Sequence, residues 1–271
     1  MTATSLSFAV ETVSYHRHQR GVAMTTEQVS LSLPDGHPMR ARWIVPAENN
    51  GLGAGVIVIH DIFGYTPDVQ RIAERLSRAG YPVLAPDLYD QAGGKASCVV
   101  RTLRDHERGR GFAFEQLETC RQWLLRQGDA EVTKVGVMGF CMGGRFALLF
   151  AAQAPIQVVA PFYGGVPKQA ESLRGICPVV GGWGRKDLIY GNHGDRLAGH
   201  LTRLDVPHDI RTYDHAGHSY MNDHQTFTFK RLGWYSPLRS RHDPDAAEDS
   251  WRRVLSFFEK TLRESEPAIH G

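Results

Sequence analysis

The 271-residue chain lacks the features that would assign it to a membrane, a nucleic acid or a metal. Its four cysteines, at 98, 120, 141 and 177, include no C-x-x-C pair, so no metal knuckle or dithiol motif is available from sequence neighbours. No apolar run approaches the ~20 residues needed to cross a bilayer. A formal charge of +2 is too small for the field that holds nucleic acid, and Lys230-Arg231 and Arg252-Arg253 read as solvated faces. The opening stretch has no compact apolar centre of the kind a signal sequence needs, since Tyr15-His16-Arg17-His18-Gln19-Arg20 is polar. Residues 1–25 are expected to form an arm, either poorly ordered or an overextended start ahead of Met24. A reducing cytoplasm is the expected compartment. Gly51-Leu52-Gly53-Ala54-Gly55 precedes its strand, whereas a phosphate loop follows one, so no dinucleotide cofactor is expected.

What is present is an ordinary globular composition, 42% hydrophobic and 22% charged, arranged as alternating strands and helices. Residues 26–33 alternate in strand fashion, Pro34-Asp35-Gly36 signals a turn, and 39–45 return, giving an antiparallel hairpin at the sheet edge. Strands over 55–60, 82–85, 135–139, 156–162, 179–182 and 208–213 then alternate with helices near 67–79, 111–126 and 191–204. Such alternation predicts a mostly parallel central sheet with helices on both faces, in one domain over 26–265. A last helix over 245–263 carries Trp251, Val254, Leu255, Phe258 and Leu262 at core-facing spacing. The long stretch 219–244, with Phe227, Phe229, Trp234 and Tyr235, reads equally well as a pocket wall or a surface insertion.

The chemistry concentrates at Gly139-Phe140-Cys141-Met142-Gly143, between an apolar strand and an apolar helix. This is the G-x-S-x-G nucleophile elbow with sulfur in place of oxygen, its glycines letting strand and helix pass closely. The helix start behind it offers unpaired N–H groups and a positive dipole end, both favouring an anion there. An elbow of this kind takes its partners in the order nucleophile, acid, histidine. Asp187, after the strand near 179–182, is the candidate acid, and His218, after the strand over 208–213, is the candidate base. Both lie past the carboxyl ends of parallel strands, where open α/β sheets collect ligands. His215 stands near His218, but no further ligand cluster accompanies the pair, so no metal is expected. In this architecture the loop after the first core strand and the residue after the nucleophile supply oxyanion N–H groups, here Ile62 and Met142. Tyr89, Tyr163 and Trp183 follow strand ends, and Tyr220 and Asn222 flank His218; these five are the candidate substrate contacts.

With these residues in hand, the chain resembles the dienelactone hydrolase family of the α/β-hydrolase superfamily. The likeness rests on His60-Asp61-Ile62-Phe63-Gly64, Gly80-Tyr81-Pro82-Val83-Leu84-Ala85-Pro86-Asp87-Leu88-Tyr89, the elbow, and Ala216-Gly217-His218-Ser219. The resemblance implies an α/β-hydrolase fold and a Cys141, His218, Asp187 triad that cleaves a small-molecule ester or lactone through an acyl-enzyme, without a cofactor. It also implies a carboxylate that modulates the thiol; family members use glutamate, and this chain has Asp61. Family members that cleave dienelactone carry an arginine four residues after the histidine to hold a substrate carboxylate, and Asn222 stands there. A thioesterase or acyl transferase would use the same triad, and a redox sensor would oxidise Cys141 instead. The sequence sets no oligomeric state.

Overall fold

The computed structural model describes residues 13–15, 24–90, 95–223 and 233–265. Nine strands form one sheet in the order β1-β2-β3-β5-β4-β6-β7-β8-β9. The hairpin strands β2 (Met24–Ser32) and β3 (Pro38–Pro46) pair antiparallel, and β3 pairs antiparallel with β5 (Val83–Pro86). From there β4 (Ala54–Ile59), β6 (Lys134–Phe140), β7 (Val158–Phe162), β8 (Val179–Gly184) and β9 (His208–Tyr213) run parallel. The hairpin is not the edge of the sheet. Within the expected arm, β1 (Val13–Tyr15) pairs antiparallel with β2, Val13 opposite Gln28.

The central strands are Val/Ile-rich and buried on both sides, as parallel strands between two helical layers must be. One layer comprises α1 (Pro67–Arg78) and α6 (Pro244–Glu264), joined by an Arg75–Glu248 ion pair and by Arg75 lying 4.6 Å over the Trp251 ring. The other holds α3 (Phe112–Leu125), α4 (Met142–Ala151) and α5 (His193–Arg203), with Phe114 packed edge-on to Phe146. Helix α2 (Lys95–Arg108), absent from the sequence reading, lies beside α3 and α4. The start of α1 is fixed by the Thr66 hydroxyl, which accepts from the Val69 N–H, with Pro67 in the first turn; Asp243 and Pro244 repeat the device at α6. Phe227 and Phe229 lie outside the described residues. Of the same stretch, Trp234 and Tyr235 form a short helical turn, with Arg241 over the Trp234 ring.

Candidate active site

Cys141 sits at the corner between β6 and α4 with φ 54 and ψ −114, a conformation that costs on the order of 1–3 kcal/mol for a residue with a Cβ. Two glycines make the corner possible. A Cβ on Gly139 would stand 2.1 Å from the Gly143 carbonyl oxygen, and one on Gly143 would stand 2.5 Å from the carbonyl oxygens of Ile59 and His60. The Cys141 N–H donates to the Phe162 carbonyl at 3.0 Å, tying the elbow to the neighbouring strand end, and the side chain is half-buried.

His218 and Asp187 meet directly. The His218 Nδ1–H donates to Asp187 Oδ2 at 2.6 Å, while Asp187 Oδ1 accepts from the N–H groups of Ile189 (2.9 Å) and Tyr190 (3.0 Å). Both side chains are buried. The histidine loop is clamped on either side, since the His218 N–H donates to Leu238 and the Arg241 N–H donates to the His218 carbonyl. Gly217 permits this approach: a Cβ there would fall 1.8 Å from the Arg239 carbonyl oxygen.

Burial pulls the His218 pKa down, but the nearby Cys141 sulfur and the Asp187 hydrogen bond raise it to about 9. The raised value keeps the imidazole protonated at neutral pH. Its Nε2 has no hydrogen bond of ordinary geometry among the described residues.

Ile62 follows β4 with its side chain 46% exposed, and Met142 opens α4. Neither backbone N–H is engaged by another group among the described residues. Tyr89 links the two segments, its hydroxyl lying 3.0 Å from the Ile62 carbonyl and 3.6 Å from Met142 Sδ. Asp61 is buried, with Oδ1 accepting from the Phe63 N–H at 2.8 Å. After burial, the largest cause, both Asp61 and Cys141 push the hydroxyl pKa values of Tyr89 and Tyr163 upward, so all four groups share one neighbourhood.

Two candidate substrate contacts require correction. Trp183 is wholly buried within β8, facing α5, with its indole N–H donating to the Gly164 carbonyl at 3.0 Å. Tyr220 is wholly buried on the opposite face, its hydroxyl hydrogen-bonded to Ser250 Oγ of α6 at 2.8 Å. A residue inside a strand, or swung beneath one, points into the helical layers and not toward the ligand edge of the sheet. Tyr163 is also fully buried, its ring 5.1 Å from that of His218, and Asn222 is bound to Tyr163 and Asp68.

Two residues escaped the sequence reading. Tyr190, half-buried, lies with its ring 5.6 Å from His218; its place three residues beyond Asp187 was the available signal. His60 is fully buried and accepts from the Leu88 N–H at Nε2 (3.1 Å), which leaves the proton on Nδ1 to donate to the Asp61 carbonyl (2.6 Å). Burial, the dominant cause, lowers its pKa, so it is a neutral strut joining the loops after β4 and β5. A groove of about 900 Å³ between the hairpin and α3, lined by Leu31, Leu33, Phe114 and Trp123, contains none of these residues. Among the described residues no group of three His, Cys, Asp or Glu side chains is disposed to hold a metal.

A mostly parallel sheet carrying a strained strand-to-helix corner, with a bonded aspartate–histidine pair at later strand ends, gives the α/β-hydrolase fold. The pattern of the Dienelactone hydrolase family matches residues 39–262, and the chain belongs to that family of hydrolases. It is 32% identical over 234 residues to a carboxymethylenebutenolidase from Rhodococcus opacus, covering 80% of this chain and 84% of that one. Among solved structures, a dienelactone hydrolase-like promiscuous phosphotriesterase from metagenomic libraries superposes with a TM-score of 0.72 at 22% identity, covering 88% of this chain and 98% of that one. A dienelactone hydrolase from Anabaena variabilis gives a TM-score of 0.63 at 20% identity, covering 93% and 100%. Among the described residues no helix is long and apolar enough to cross a membrane.

Proposed function

We propose that the protein hydrolyses small carboxylic esters or lactones through an acyl-enzyme on Cys141, with His218 as acid and base and Asp187 as its orienting partner. The observation that carries this reading is the 2.6 Å His218–Asp187 hydrogen bond, which leaves Nε2 unbonded beside a half-buried thiol on a strained corner. The thiolate adds to the carbonyl carbon, and the oxyanion so formed is met by the N–H groups of Ile62 and Met142, each such donor contributing about 2.7–4 kcal/mol to the transition state. Collapse expels the alkoxide, which takes the Nε2 proton from the imidazolium. The neutral imidazole then removes a proton from water, hydroxide adds to the thioester, and the thiolate departs with the ion pair restored. Asp187 fixes the tautomer throughout. Asp61 modulates the Cys141 sulfur from within the shared neighbourhood. The carboxymethylenebutenolidase relative favours a lactone as the natural substrate. The free thiols of Cys120, Cys141 and Cys177 suit a reducing compartment such as the cytoplasm.

The test is Cys141→Ala assayed on p-nitrophenyl acetate. Turnover should fall at least about 10³-fold with the fold retained by circular dichroism, and the unaltered protein quenched during turnover should carry one acetyl mass on the peptide containing Cys141. Undiminished turnover in Cys141→Ala would refute the assignment.

A further inference from the structure

Asn222 occupies the position four residues beyond the candidate base, yet it is only 2% exposed and its amide is already used at both ends. Its Oδ1 accepts from the Tyr163 hydroxyl and its Nδ2 donates to Asp68 Oδ2. Its backbone N–H donates to the Ser219 carbonyl at 2.9 Å, closing the turn that carries His218. We propose that Asn222 is a positioning residue, a latch that holds the Tyr163 ring against the His218 imidazole from an anchor on α1, and that it does not contact the substrate. The inference rests on the reading of Cys141 and His218 as the reactive pair.

An amide suits the chemistry of both neighbours. Asp68 is an acceptor, and the Tyr163 phenol, whose pKa burial raises well above its ordinary value, remains a donor. A link between them must donate at one end and accept at the other. Carboxylate, guanidinium and ammonium groups each offer only one of these functions.

The anchor is firm. Asp68 belongs to the first turn of α1, is itself buried, and receives two further donors: the Arg71 guanidinium, and the Asp223 N–H at 3.2 Å. Arg71 in turn donates to the Asp223 carbonyl at 2.8 Å, so the segment after the histidine loop is fastened to α1 through both of its backbone groups. At the other end of the latch, Tyr163 has φ 40, a left-handed conformation disfavoured for a bulky residue unless neighbouring contacts impose it. Its ring packs 5.1 Å from that of His218 and 5.3 Å from that of Tyr220. The imidazole is thus held from below by Asp187 and flanked by a ring that Asn222 keeps in place. A loosened ring frees the imidazole to turn away from sulfur. That penalises the chemical step and leaves ground-state substrate binding largely unchanged.

The experiment is a double-mutant cycle of Asn222→Ala and Tyr163→Phe, with melting temperature and circular dichroism establishing that each variant is folded. Tyr163→Phe keeps the ring volume, so the cycle retains a mild member if Asn222→Ala melts early. Two readouts are taken: steady-state hydrolysis of p-nitrophenyl acetate, and the rate of Cys141 alkylation by iodoacetamide at pH 7. Tyr163→Phe should lower kcat roughly 5- to 10-fold, the value of one lost hydrogen bond, and Asn222→Ala, which removes the bonds to both Tyr163 and Asp68, at least as much, with KM changed less than about twofold in each. The double variant should be no worse than the poorer single, because either change opens the same latch. Alkylation should slow in parallel as the thiolate loses its imidazolium. The proposal is overturned if Asn222→Ala raises KM at constant kcat, if the losses multiply in the double variant, or if Tyr163→Phe leaves both rates unchanged. Lack of ester turnover by the unaltered protein would count against the hydrolase reading alone, since the alkylation rates still measure the latch.

Discussion

Replacing Cys141 by serine should lower the pKa of His218. The substitution keeps nearly the same volume at the elbow and removes the ionisable sulfur. In the native site burial opposes the charged ring, and yet the ring reaches about 9, because the Cys141 sulfur and the bond to Asp187 outweigh burial. A rise from 6.5 to about 9 corresponds to about 3 kcal/mol of preference for imidazolium. The Cys141 charge is the largest of the raising causes, ahead of the Asp187 bond, and serine removes it while burial and Asp187 remain. The His218 pKa should therefore fall clearly below about 9, read from the imidazole Cε1 proton by NMR between pH 5 and 10. A His218 titration that stays near 9 in the serine variant would show that sulfur is not what charges the ring, and the ion-pair account of the nucleophile would fail.

Two further outcomes follow from the supports of the site. Tyr89→Phe removes the hydroxyl between the Ile62 carbonyl and Met142 Sδ, so kcat for an activated ester should drop by roughly fivefold while the urea midpoint stays nearly constant; an unchanged kcat would show that the two N–H groups do not depend on it. Gly143→Ala places a methyl 2.5 Å from two carbonyl oxygens of rigid backbone, which should destabilise the protein by at least about 2 kcal/mol in urea unfolding despite the better helix propensity of alanine. A midpoint equal to that of the native protein would contradict the close-packed elbow.

The elements legible in the sequence are those whose determinants are local. The elbow announces itself through glycines two residues either side of Cys141, because the backbone crowding that demands them arises within the strand–turn–helix unit. The central strands β4, β6 and β7 read correctly because each is buried on both faces and so forms an apolar run. Helix α2 did not, because Arg101, Arg104, Asp105, His106, Glu107 and Arg108 fill its second half with charge, and its few core-facing residues, such as Cys98, make a weak stripe. Trp183 and Tyr220 misled for a related reason. A sequence shows that an aromatic stands near a strand end but not which way the chain leaves it: Trp183 is still inside β8, and the positive φ of Ser219 reverses the backbone so that Tyr220 falls beneath the sheet onto α6.

The supports of the site were illegible for a deeper reason. His60 reaches Leu88, Asn222 reaches Asp68, and Tyr163 reaches Asn222, each across a separation in sequence that carries no periodic signal. What joins these residues is the strand order, which brings the loops after β4, β5, β7 and β9 to one edge of the sheet with buried polar groups that must find partners there. The candidate reactive groups can be picked out by chemical type and chain order because catalysis restricts both. The groups that hold them need only complement one another in donors and acceptors, a condition that many residue types meet and that only the folded arrangement selects. Position 222 illustrates the point: a place where family resemblance suggested a substrate contact holds an amide whose donor and acceptor are both spent on the protein itself.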